Sequence, residues 1–113
     1  MKQNKIYSLL GLAMRGRNMV SGEFATESAV KDGSAFVVIV ASDASENTKK
    51  LFSNKCSFYE VPCFVYGTKE ELGHALGKEL RSSLAITDLG LAQAVIGQLE
   101  ESEKLGGSKR GEN

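Results

Sequence analysis

Apolar positions in this chain follow two different rhythms, and the switches between them outline its elements. Ile6, Leu9, Leu10 and Ala13 fall at i, i+3, i+4 and i+7, which predicts an amphipathic helix over residues 3–14. Gly16 is placed to stop it. A short strand is expected around Met19 and Val20, within Asn18 to Ser21. Gly22 and Glu23 then open a second helix that runs to about Lys31, with Phe24 or Ala25, Ser28 and Ala29 on its inner side. The next segment breaks the helical rhythm. Phe36-Val37-Val38-Ile39-Val40-Ala41 is apolar at every position, so it reads as a strand over 35–41 that is covered on both faces.

Ser45 supplies a cap for a third helix over 46–58, with Leu51, Phe52, the Lys55 stem and Cys56 facing inward and Lys49 and Lys50 outward. Val61 to Tyr66 reads as a strand; the lone Pro62 suits its first residue or an edge. Thr68-Lys69-Glu70-Glu71 has the form of a capping box and starts a fourth helix that buries Leu72, Ala75 and Leu76. Ser83-Leu84-Ala85-Ile86 is a final strand. Asp88 caps a fifth helix bearing Leu91, Ala92, Val95, Ile96 and Leu99. Helices alternating with strands imply an α/β chain, a three-layer α/β/α sandwich around a mixed sheet of about four strands.

At 113 residues the chain is long enough for a single core, expected over residues 1–99. Beyond Leu99 only Leu105 is apolar, so residues 100–113 are expected to be a flexible polar tail. No apolar stretch reaches the length of a membrane span and no secretory leader is evident, which points to a cytoplasmic protein. Cys56 and Cys63 lack metal-site spacing and His74 is the only histidine. The two thiols therefore read as small core residues, and neither a metal nor a cofactor is expected.

Fourteen basic and fourteen acidic residues cancel, but unevenly: residues 1–22 hold Lys2, Lys5, Arg15 and Arg17 with no acid. A neutral total argues against a broad non-specific grip on nucleic acid while leaving room for a local basic patch. Catalysis finds little support, since no arrangement of Ser, Cys and the single His recommends a nucleophile and base. Gly11 to Gly16 has the spacing of a phosphate-binding loop but lacks the following Lys and Ser or Thr, and it ends a helix rather than starting one. Asp43 and Lys69 each follow a strand, as in a phospho-accepting receiver; the acidic magnesium ligands such a site needs after the first strand are missing.

An RNA site is better supported. Three loops are expected to converge: Arg17 to Phe24, Ser42 to Ser45, and Lys78 to Ser83. Gly22 at a helix start allows backbone to approach phosphate, and the helix N-terminus offers unpaired N–H donors. Arg15 and Arg17, with Lys78 and Arg81, would add charge, with Ser21, Glu23, Asp43 and Ser82 beside them. Phe24, Ser42 and Leu84 are placed near bases. Phe24 either stacks on an unpaired base or packs inward.

The ordered set Gly11-Leu12-Ala13, Arg15-Gly16-Arg17, Ser21-Gly22-Glu23, Val37 to Ser45 and Asn47-Thr48-Lys49-Lys50 resembles the ribosomal-protein family that binds kink-turn RNA, and in particular its small bacterial branch. Val61-Pro62, Gly67 to Gly73, Ala75-Leu76-Gly77-Lys78 and Leu84-Ala85-Ile86 continue the resemblance, which runs from about Ile6 to Leu99. It implies an α/β/α sandwich and a non-catalytic, ribosome- or translation-associated protein. Its partners would be structured RNA, ribosomal in origin, and possible ribosome-associated proteins, with no membrane or DNA. The family's motif continues from its glycine to an Asn, a Glu and a later Lys; Gly22 matches, while Phe24, Ala25 and Ser28 stand at those three positions. The departure leaves a protein-interaction module without standard kink-turn readout as the alternative.

Overall fold

A computed structural model describes the backbone of residues 4–111 and the side chains of residues 4–103. The elements are α1 (Lys5–Arg15), β1 (Met19–Ser21), α2 (Glu23–Lys31), β2 (Val37–Val40), α3 (Glu46–Tyr59), β3 (Cys63–Val65), α4 (Lys69–Ala75), β4 (Ser83–Ile86) and α5 (Leu89–Gly111). The expected tail, 100–113, falls largely on side chains outside the described residues.

The strands form one mixed sheet in the order β1-β4-β2-β3. β4 is antiparallel to both neighbours, whereas β2 and β3 run parallel. β1, β2 and β3 therefore point the same way, and the helices that follow them, α2, α3 and α4, all begin at one end of the sheet. α1 packs on α5 and α4 over one face, and α2 packs on α3 over the other. The expected three-layer sandwich is the observed architecture.

The apolar run at 36–41 does what its pattern implies: Val37, Val38, Ile39 and Val40 are all buried. Each such side chain contributes about 1.5–3 kcal/mol of transfer free energy. Ile6, Leu10 and Ala13 of α1 seal one face of the core, and Thr26, Ala29 and Val30 of α2 the other. The inner face of α2 is thus one step out of phase with the expectation. Phe24 and Ser28 point to solvent, because Thr26, Ala29 and Val30 hold the i, i+3, i+4 positions over β4.

The caps behave as their sequences imply. Ser45 Oγ accepts the Thr48 N–H at 3.1 Å, and Asp88 Oδ2 accepts the Leu91 N–H at 2.9 Å. Thr68 and Glu71 exchange both capping-box bonds at 3.1 Å.

Candidate nucleic-acid interface

Four chain segments meet where β1, β2 and β3 end and β4 begins. A ladder of hydrogen bonds ties them together. The Gly22 N–H donates to the Ser83 carbonyl at 2.9 Å and the Ala41 N–H to the Ser82 carbonyl at 2.9 Å. The Ser42 N–H and hydroxyl both reach the Gly67 carbonyl, at 2.7 and 2.8 Å. Asp43 Oδ1 accepts the Lys69 N–H at 2.8 Å, and the Lys69 carbonyl accepts the Arg81 N–H at 3.0 Å. Asp43 is thereby a brace for the start of α4. Its Oδ1 is engaged with backbone.

Lys69, weighed in the sequence only as part of a capping box and of a receiver-like pair with Asp43, joins two of these loops through its backbone. Gly73 is the other position that local sequence hid. A Cβ there would collide with the backbone of Glu79 and with the Leu80 nitrogen, so only glycine lets the 78–81 loop lie this close to α4.

Gly22 is the N-cap of α2, with φ 96° and ψ 153°, and it supplies no side-chain cap. An added Cβ would meet nothing within 4 Å, so the requirement for glycine is conformational and the space beside it is open. By contrast, α3 and α4 are capped by Ser45 and Thr68 at the same end of the sheet. Among the described residues the first-turn N–H groups of Glu23, Phe24 and Ala25 have no acceptor, leaving the positive end of the α2 dipole open. Phe24 stands beside them, 83% exposed. Glu23 turns aside, its Oε1 accepting from the Thr48 hydroxyl at 3.3 Å and linking α2 to α3.

The cations at this end are Lys69, Lys78 and Arg81. None makes an ion pair among the described residues, whereas Lys31, Lys49 and Lys55 are paired with Glu27, Glu46 and Glu27. Arg81 is oriented: its Nε donates to Ser21 Oγ at 2.8 Å and its Nη1 to the Leu80 carbonyl at 2.9 Å.

Two expected contributions do not fit this geometry. Met19 pairs with Ile86 and Ser21 with Leu84, so Arg17 and Asn18 lie at the Thr87 end of β4 and Gly22 at its Ser83 end. About 13 Å of extended chain separates Asn18 from Gly22 at ~3.3 Å per residue. Arg15 folds back along α1 towards Gly11. The first of the three expected loops is thus split, and its Arg17, like Arg15 on α1, sits away from the glycine. Leu84 is fully buried in β4, so it belongs to the core and presents nothing to a base. The remaining expected residues, Ser21, Gly22, Glu23, Phe24, Ser42, Asp43, Lys78, Arg81 and Ser82, lie at the common end.

A cleft of about 700 Å³ adjoins it, lined by Tyr7, Thr68, Glu70, Glu71, His74, Lys78 and Glu79. Tyr7 donates its hydroxyl to Glu71 Oε1 at 2.9 Å. Burial first, and then the Glu71 carboxylate, push the Tyr7 phenol well above its ordinary range.

A profile of the ribosomal protein L7Ae/L30e/S12e/Gadd45 family matches residues 4–96. A Bacillus subtilis protein named RNA-binding protein YlxQ is 39% identical over 94 residues, covering 83% of this chain and 94% of the relative. An Enterococcus faecium protein of the same name is 42% identical over 91 residues, covering 80% and 87%. A Bacillus halodurans protein described as of unknown function is similar in structure at TM-score 0.84 and 37% identity, over 87% of this chain and 99% of that one. The Giardia lamblia 15.5 kD RNA-binding protein shares the fold, at TM-score 0.74 and 20% identity over 89% and 92%.

Proposed function

The chain belongs to the ribosomal protein L7Ae/L30e/S12e/Gadd45 family, and on that premise we propose that it is a non-catalytic protein that binds structured RNA at the end of the sheet where α2 begins. The observation that carries this reading is the uncapped first turn of α2, where the open N–H groups of Glu23, Phe24 and Ala25 lie beside an exposed aromatic ring. Relatives carrying the name RNA-binding protein support it.

Each part of the surface has a physical role. The N–H groups and the helix dipole receive phosphate or base acceptors. Lys69, Lys78 and Arg81 neutralise backbone charge. Phe24 stacks on a base that has left its helix, a contact that RNA loops and bulges offer and that tolerates any base. With Asn and Glu of the family's motif replaced by Phe24 and Ala25, edge reading gives way to stacking and shape. The RNA is structured, kink-turn-like in outline and ribosomal in origin.

Three lysine or arginine contacts predict a shallow dependence of affinity on salt, with a slope of roughly −1 to −4. Ultraviolet crosslinking of the full chain in cells, followed by sequencing of the attached RNA, tests the proposal. Enrichment of folded ribosomal RNA segments is expected. Recovery of ribosomal material that survives nuclease treatment, with no crosslinked RNA, would replace an RNA partner with a protein one.

A further inference from the structure

Lys5 and Arg15, from the segment that is free of acid, face elsewhere. On the outer side of the helical layer, α1 and α5 enclose a cleft of about 550 Å³. Leu9, Leu12 and Ala94 form its apolar floor, and Lys5 and Arg15 stand at its two ends. Leu12 is 48% exposed although its neighbours Leu10 and Ala13 are fully buried. Lys5 and Arg15 make no ion pair among the described residues. Glu101 shares an adjoining cleft with Lys5 without bonding to it.

We propose that this groove docks an acidic amphipathic helix of a protein partner. Lys5 and Arg15 line the groove and no acidic residue does, so it complements negative charge on either side of the apolar floor. The floor favours peptide over nucleic acid: aliphatic side chains suit apolar residues of a helix, and the groove holds no aromatic ring on which a base could stack. A trough between two packed helices accepts a third helix, whose apolar ridge enters at i and i+3 or i+4.

The spacing defines that helix further. Lys5, Ser8, Leu9, Leu12 and Arg15 share one side of α1, and Lys5 and Arg15 are ten residues apart. Arg15 reaches back to the level of Gly11, so its charge lies about six residues from Lys5, about 9 Å along the axis at 1.5 Å per residue. A fitting partner carries carboxylates about six or seven residues apart with two leucine-like residues between them. The groove lies away from Gly22, so it is occupied independently of RNA.

Selection of a displayed library of 16-residue helical peptides against the full chain tests the proposal. Enriched peptides are expected to carry Asp or Glu flanking an apolar i, i+3 or i, i+4 pair. Leu12→Glu and Arg15→Glu are each expected to weaken a selected peptide at least tenfold. Both positions are exposed, so the thermal unfolding midpoint should not move. Leu12→Glu should leave affinity for the crosslinked RNA unchanged. Failure to enrich any peptide, enrichment without acidic bias, or peptide binding indifferent to Leu12→Glu would overturn the proposal. Loss of RNA affinity in place of peptide affinity would assign the face to RNA and overturn it equally.

Discussion

Arg81 Nε donates to Ser21 Oγ at 2.8 Å across sixty residues of sequence, fixing the loop that enters β4 to the residue just before the α2 glycine. That bond holds a cation beside an open helix N-terminus. Orienting a long side chain in advance lowers the entropy lost when it meets a ligand.

Arg81→Ala and Lys78→Ala should each weaken RNA binding and reduce the magnitude of the salt slope by about 1. Arg15→Ala combined with Arg17→Ala should do markedly less, because the register of β1 on β4 carries those residues to the other end of the strand pair. Fluorescence anisotropy over a salt series checks both. Equal losses from the two sets would place RNA at both ends.

Phe24→Ala should lower RNA affinity by about 1–3 kcal/mol, the range for one base stacked on one ring. The side chain is 83% exposed, so the urea midpoint should stay within error of the parent. Phe24→Tyr should restore most of the affinity, since the stacking face is kept.

Gly22→Ala should cost about 1–3 kcal/mol of stability, because φ 96° with ψ 153° lies in a region that is essentially confined to glycine. Space is not the cause, as a Cβ would meet nothing within 4 Å. Chemical denaturation measures the cost. RNA affinity should fall further than the stability change explains, since relaxing the strain re-aims the first turn of α2.

Tyr7 gives the fold a dependence on alkaline pH. Its phenol is harder to ionise in the folded chain than in the unfolded one, first through burial and then through Glu71. The stabilisation is complete below the unfolded value near 10 and is lost as pH rises above it. Tyr7→Phe should cost about 0.5–1.5 kcal/mol at neutral pH and flatten this part of the profile above pH 10. Thermal unfolding between pH 8 and 11 distinguishes the two proteins.

Local chemistry made most of the fold legible in the sequence. The unbroken Val37–Val40 run, the Thr68–Glu71 capping box and the Ser45 cap each act within a few residues, and each forms as its pattern implies. The interface was legible only in part. Gly22 announces itself by its place at a helix start. Which loops share its end depends on β4, whose pairing with β1 closes a span of more than sixty residues that no local pattern encodes. The outward turn of Phe24 was hidden for a related reason. Thr26 is buried and polar, so the true inner face of α2 looks less apolar in sequence than the face it displaces. Leu84 misled in the opposite sense, being close to the interface along the chain and within the core in space.

The central claim is that RNA is held at the end of the sheet where α2 begins. The most direct measurement is the change in backbone amide resonances when a crosslink-identified RNA is titrated into the isotopically labelled full chain. Shifts should concentrate at Gly22 to Ala25, Ser42 and Lys78 to Ser82, leaving Arg17, Asn18, Phe36 and Thr87 unmoved. Shifts centred on Arg17 and Thr87, with the first turn of α2 silent, would contradict the account.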